Sequence, residues 1–352
     1  MATPQEPASR LRIAGLEIRG YRSLKRVEWP QDGLGWGDKI PDIILVGGAN
    51  GSGKTTLLET IYNVVRFLID AGGIGVLDVA APPLLPRGAG RFRLDLDDGA
   101  VINQLVISSS DLDTTTTRSN VWSIRTPPPG EPAVPAFAPA SEVLSGERLR
   151  LWKMFSAPDA PKLIYFPTDR AVTFPATKYK GPGNRTSTAD VAYRYEASQD
   201  WQQSVEAILY DARWRDLNAK ERGNTGSARN FVAFEATMHR FFGNTKRFHW
   251  DDDGVLHIQT ADGTLHPLQA LSSGEKQVLL FGADLYRRWT PGSLVLLDEP
   301  ELHLHDAWLS SLWGGICDLQ RERGGQVIIT TQSNYLFGLG EPGSRVLLGT
   351  GL

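Results

Sequence analysis

The stretch GGANGSGKT at 47–55 constrains this chain more than any other. Gly48 to Thr55 fit G-x-x-x-x-G-K-[ST], a loop pattern that wraps phosphate. The run Ile43, Ile44, Leu45, Val46 precedes it, as expected of a strand buried on both faces. Leu57, Leu58, Ile61, Val64, Val65 and Leu68 follow at helical spacing. A strand, a glycine-rich turn and a helix start aim backbone N–H groups and the positive end of a helix dipole at an anion. The pattern assigns Gly48, Asn50, Gly51, Ser52, Gly53, Lys54, Thr55 and Thr56 to a nucleotide. Lys54 would reach the β- and γ-phosphates, and Thr55 would hold Mg²⁺.

Two further stretches extend the site. SLVLLDEPELHLH at 293–305 is an apolar run ending in two carboxylates. Phosphoryl transfer needs one group to anchor the metal and another to orient the nucleophile, roles that fall to Asp298 and Glu299. LSSGEKQ at 271–277 brings a serine, a glycine and a helix start together, which makes a second anion site facing outward. One cradle already serves the chain's own nucleotide, so the second predicts a phosphate shared with another subunit.

Between these motifs the pattern is mixed. LRIAGLEIRGYRSLKRV at 11–27 alternates like an opening strand or hairpin. The expected organisation is a core segment at 11–70 and an antiparallel β lobe at 90–125. A Pro/Ala-rich connector at 126–160 and a strand with a basic loop at 161–195 follow. A helical insertion at 196–245 precedes a second core segment at 246–352, in which RFHWDDDGVLHIQTADG predicts a hairpin. The net charge of −3 leaves no global field for nucleic acid, and a lone Cys317 excludes an intrachain disulfide and a thiolate metal cluster. No apolar run reaches the roughly 18 residues of a membrane span. The amino terminus has no continuous apolar signal core, so the expected location is cytoplasmic, with no membrane partner.

These residues carry a resemblance. With its phosphate loop, LSSGEKQ and DEPELHLH, the sequence resembles the ABC-type ATPases. It is similar in particular to the RecF/OLD-like branch of AAA-type ATP-binding proteins, and to ATPase subunits of anti-phage defence systems such as Septu. LRIAGLEIRGYRSL and LIYFPTDR match that branch's opening strand and midchain strand. The resemblance implies an α/β fold, an ABC-ATPase head with a P-loop parallel-sheet core, carrying an antiparallel β lobe and a helical insertion lobe. It implies ATP and Mg²⁺ as ligands, the metal held by Thr55 and Asp298, and a homodimer closed around ATP. Ser272, Ser273, Gly274 and Glu275 would form the signature offered to the partner's triphosphate, and His305 the D-loop position. Catalysis would rest on Glu299, Lys54 and Gln332. The chain departs from the pattern at Ser273 and Glu275, where Gly and Gln are usual, and at Gln332, where relatives have His. Glutamine cannot carry a proton or a positive charge, so slower turnover with binding retained is expected.

Several roles stay open at this level. Arg22 and Arg170 fit either a nucleotide or lobe contact, or a surface salt bridge. The basic residues Arg148, Arg150, Lys153, Arg170, Lys178, Lys180 and Arg185 suit a solvated loop or a DNA backbone. His303 and His305 lack the i, i+4 spacing of a helical metal pair. The favoured function is the sensor ATPase of an anti-phage system acting on a separate effector such as a nuclease. Alternatives are a DNA-repair or chromosome-maintenance head, an ATP-dependent clamp with little turnover, and, least favoured, the nucleotide-binding subunit of a transporter.

Overall fold

The computed structural model describes residues 10–30, 39–73, 91–99, 102–108, 121–125, 136–137, 160–168, 192–194, 205–223, 230–242, 246–252, 254–302, 304 and 306–349. Most of the connector, the whole run of basic residues from Arg148 to Arg185, and both His303 and His305 lie outside them.

The chain opens with strands β1 (Arg12–Tyr21), β2 (Leu24–Trp29) and β3 (Ile43–Gly47), then helix α1 (Lys54–Gly73). Strands β4 (Arg91–Asp97), β5 (Ile102–Ser108), β6 (Val121–Arg125), β7 (Ala136–Phe137), β8 (Leu163–Phe166) and β9 (Ala192–Arg194) follow. Helices α2 (Val205–Glu221) and α3 (Asn230–Phe242) lead into β10 (Lys246–Trp250), β11 (Leu256–Thr260) and β12 (Leu265–Pro267). The last part holds α4 (Ser273–Arg288), β13 (Leu294–Asp298), α5 (Asp306–Arg323), β14 (Gln326–Thr331), α6 (Asn334–Gly338) and β15 (Arg345–Leu347).

These elements form three sheets. A parallel sheet runs β15-β3-β14-β13-β8-β9. A second sheet runs β2-β1-β4-β5-β6-β7, and a small antiparallel one runs β10-β11-β12. The four central parallel strands β3, β14, β13 and β8 are buried at almost every position because both faces are covered, and their period of two divides the core. Ile44, Val46, Leu163, Tyr165, Leu294, Leu296 and Ile328 face a cluster shared with α1 and with Leu16, Ile18, Phe92 and Leu94 of the second sheet. Leu45, Ile164, Phe166, Val295, Leu297, Val327 and Ile329 face the other cluster, built with Phe234, Met238 and Phe241 of α3, Leu279 of α4 and Leu312 and Ile316 of α5. Helix α1 therefore lies between two sheets, which explains why Leu57, Leu58, Ile61, Val64 and Val65 are all fully buried.

Two sequence expectations change here. The β lobe expected at 90–125 does not begin at 90, because β4 pairs along β1 from Arg19↔Arg91 to Arg12↔Asp97. The opening hairpin, expected in the core segment 11–70, belongs to the same sheet. Within it β5 and β6 are parallel, not antiparallel. Periodicity reports which residues are buried, whereas pairing between distant strands and its direction depend on packing that no local window contains. The expected hairpin at RFHWDDDGVLHIQTADG is present as β10 and β11, extended by β12 into a meander.

The two large sheets are tied together by a buried glutamine. Gln326, at the start of β14, accepts from the Ile13 N–H at 2.8 Å and donates to the Ile13 carbonyl at 3.3 Å and the Pro41 carbonyl at 3.0 Å. The register of β1 against β4 shifts between Ile13 and Gly15, and this irregularity leaves the Ile13 backbone available to an acceptor outside its own sheet.

Candidate nucleotide site

The parallel sheet brings the motifs together at one edge. Val46, Thr330 and Asp298 are register partners on three adjacent strands, and Gly47 pairs with Thr331 one step further on. The phosphate-loop strand, the switch strand and the acidic strand thus end flush, at the carboxyl edge where open α/β sheets hold ligands.

The loop is shaped by its glycines. Gly51 and Gly53 have φ of +79° and +97°, a region that L side chains seldom occupy. A Cβ on Gly53 would stand 2.5 Å from Leu24 Cδ2 and 2.7 Å from Ser23 Oγ, so the β1–β2 turn presses directly on the loop. Arg22 sits on that turn, exposed, with φ of +50° and its guanidinium carbon 5.3 Å from the Tyr21 ring centroid. Ser52 Oγ is buried without a hydrogen-bond partner among the described residues. Lys54 is almost wholly buried and donates to the Gly48 carbonyl at 2.7 Å and the Ala49 carbonyl at 3.0 Å. Its ammonium therefore folds back into the curl of the loop. Asn50 and Thr55 are exposed beside it, and Thr56 is half-buried.

The acidic end is built by a turn. Glu299 has φ of +44°, a strained setting for a side chain larger than glycine, and strain of this kind concentrates at functional sites. The N–H of Glu299 donates to the Thr330 carbonyl and hydroxyl, each at 3.1 Å. Its carboxylate lies 3.2 Å from Lys54 Nζ and accepts from Gln332 Nε2 at 3.4 Å. Lys54, Glu299 and Gln332 thus meet at one point. Asp298 is fully buried and takes hydroxyl donors on both oxygens, Thr168 at 2.6 Å and Thr330 at 2.5 Å. Among the described residues its carboxylate has neutral donors and no cationic partner. A buried charge in that condition fits a metal ion beside it.

Glu301 is buried as well. It accepts from the Thr331 hydroxyl and from the Gln332 N–H at 3.0 Å. Burial pushes its carboxyl above the usual range, and hydrogen bonds from Thr331, Gln332 and Ser333 only partly offset that. Sequence reasoning missed Thr168, Thr330 and Glu301. The second glutamate of DEPE was the one visible signal, and the two threonines gave none.

The outward anion site is separate. Ser272 caps α4 in a capping box: its Oγ accepts from the Glu275 N–H at 3.3 Å, and Glu275 Oε2 accepts from the Ser272 N–H at 2.9 Å. Ser272 is exposed at this tip, and Gly274 is half-buried one position into the helix. Glu275 also pairs with Lys246. Burial raises the Glu275 carboxyl, but Lys246, the Ser272 N–H and the Ser272 hydroxyl outweigh it and hold it below the usual carboxylate value. Glu275, expected in the signature facing a partner, turns its carboxylate back onto its own helix cap. Among the described residues no hydrogen bond or ion pair joins Ser272 or Glu275 to the phosphate loop.

Residues 215–338 match the family described as AAA domain, putative AbiEii toxin, Type IV TA system. No curated protein matches the chain. Among solved structures, the chain is similar to an SMC head bound to the C-winged helix domain of ScpA, at 17% identity and a TM-score of 0.44, over 93% of this chain and 91% of that one. The SMC head domain from Thermotoga maritima gives 15% identity and a TM-score of 0.44 over the same shares. A dimeric bacterial ABC transporter cassette gives 13% identity and a TM-score of 0.38, over 97% and 94%.

Proposed function

We propose that this protein binds Mg·ATP in the 48–56 loop and hydrolyses it, with two copies closing around the nucleotide. The observation that carries the reading is the meeting of Lys54, Glu299 and Gln332 at the carboxyl edge of the sheet. Without nucleotide, Lys54 neutralises Glu299. Triphosphate oxygens would compete for the ammonium, releasing the carboxylate to orient a water for in-line attack. Gly51 and Gly53 let backbone N–H groups turn toward the β-phosphate, and Ser52 Oγ has hydrogen-bonding capacity to spare. Thr55 and Asp298 would hold Mg²⁺, which supplies charge neutralisation on the phosphate oxygens. Gln332 donates an amide hydrogen bond but no cation, which favours slow turnover.

The helix tip at Ser272 and Gly274 would complete the partner's site through first-turn N–H groups and through the Ser272 hydroxyl, once the phosphate displaces its bond to Glu275. The match of 215–338 to a family described as AAA domain, putative AbiEii toxin, Type IV TA system supports a defence role, in which this ATPase would act on a separate effector such as a nuclease.

The test compares wild type with Glu299→Gln. Steady ATP turnover by wild type, and an ATP-loaded dimer that persists in the variant, is the expected pair of results. Absence of ATP binding by wild type would refute the reading, and equally slow turnover by both proteins would make the protein a clamp.

A further inference from the structure

Glu301 occupies a position that the proposed chemistry does not itself require. It is 8% exposed, three residues beyond Asp298, and on a different strand connection from the switch turn it touches. One carboxylate oxygen accepts from both the Thr331 hydroxyl and the Gln332 N–H, while the other is buried without a partner among the described residues. The Ser333 N–H donates to the Thr331 hydroxyl oxygen at 3.0 Å, one step removed from this carboxyl. Two successive residues of the switch turn are therefore held by one side chain of the acidic turn, and the third is tied to them through the Thr331 hydroxyl. The acidic turn is itself tight: Leu302 N–H donates to the Glu299 carbonyl at 3.0 Å, and Leu304 N–H to the Glu301 carbonyl at 2.9 Å. Its backbone thus has little freedom to follow a shift of the switch on its own.

Gln332 is exposed, and its amide meets Glu299 at 3.4 Å, near the limit of a hydrogen bond. An exposed side chain at the end of a strand keeps such a position only if its backbone is fixed. The alternative anchors are few: Ser333 caps α6 through its hydroxyl to the Leu336 N–H at 3.3 Å, which orients the helix and not Gln332. We infer that Glu301 is the positioning residue of the site, an acceptor clamp that sets where the Gln332 amide stands against Glu299 and the attacking water. It acts through Gln332 and touches no reacting atom. The inference rests on the ATPase reading above and adds to it the group that couples the acidic turn to the switch.

The clamp needs an acceptor at the right reach and does not need a charge, which separates three variants. Glu301→Asp withdraws the carboxylate by one methylene. Glu301→Gln keeps an acceptor oxygen at full reach, and Glu301→Ala removes it. ATP turnover and ATP binding are measured on the full chain for each, alone and with Gln332→Ala. The expected result is a fall in kcat of about ten- to a hundredfold in Glu301→Ala and Glu301→Asp, the usual cost of losing a group that orients a working side chain. The KM for ATP should stay within about twofold, and Glu301→Gln should restore most of kcat. In the Gln332→Ala background, Glu301→Asp should cost almost nothing more. If Glu301→Ala does not fold, the contrast between Asp and Gln carries the same information. Undiminished kcat in Glu301→Asp, equal losses in Asp and Gln, or full additivity with Gln332→Ala would each overturn the inference. Absence of turnover in wild type would instead strike the ATPase reading beneath it.

Discussion

The pressure of the β1–β2 turn on the phosphate loop can be measured by substituting two glycines that differ in one respect. Gly51 and Gly53 both have positive φ, but a Cβ on Gly51 meets nothing within 4 Å, whereas one on Gly53 meets Leu24 and Ser23 at 2.5 and 2.7 Å. Gly51→Ala should therefore cost only the backbone term, about 1–2 kcal/mol for an L residue held left-handed. Gly53→Ala carries that term plus an overpacking term of about 1–3 kcal/mol, roughly 2–5 kcal/mol in all. At roughly 2 °C per kcal/mol for a chain of this size, Tm without nucleotide should fall by about 2–4 °C and about 4–10 °C respectively. Leu24 is buried, so Leu24→Ala costs about 2–5 kcal/mol by itself. It also removes the nearer of the two groups that Gly53→Ala strikes, leaving Ser23 Oγ. The double variant should consequently be less destabilised than the sum of the singles, by about 0.5–2 kcal/mol, part of the overpacking term. Thermal and denaturant unfolding of the four proteins supply the cycle. Equal losses at Gly51 and Gly53, or additive losses at Gly53 and Leu24, would refute the contact between hairpin and loop.

Two further outcomes follow from the side-chain environments. Glu275 titrates below its ordinary 4.5, so the helix cap adds stability above that pH and loses it as pH falls through the lowered value. Lys246→Met should flatten the loss of Tm between pH 5 and pH 3, and parallel curves for variant and wild type would show that the pair does not govern the cap. Burial, with a smaller contribution from Asp318, pushes the Cys317 thiol up to about 11 against the opposing charge of Arg321. At pH 8 the folded protein should react with a thiol reagent roughly a hundredfold more slowly than the unfolded chain, and equal rates would contradict it.

The parts of the site carried by contiguous residues were legible without coordinates. GGANGSGKT, DEPE and TTQSN each join a strand to the turn that follows it, and local spacing alone sets the order of glycine, cation and carboxylate. The helix start at Ser272 was legible in the same way, although the capping box that turns Glu275 inward was not anticipated. What escaped were contacts across strands. Thr168 and Thr330 belong to segments far from Asp298 in the chain, yet they supply its two hydroxyl donors because β8 and β14 flank β13.

By itself the sequence determined the elements that nearest-neighbour chemistry decides: a buried strand, a glycine turn that only positive φ permits, a capped helix and two carboxylates at a strand end. The tertiary structure alone decided which edges meet. It joined the opening hairpin to β4, set that hairpin against Gly53, and turned Glu299 left-handed toward Lys54. Local preferences are summed over adjacent residues, whereas these placements minimise the exposed area of two sheets and a shared helix at once, and no short window contains that sum.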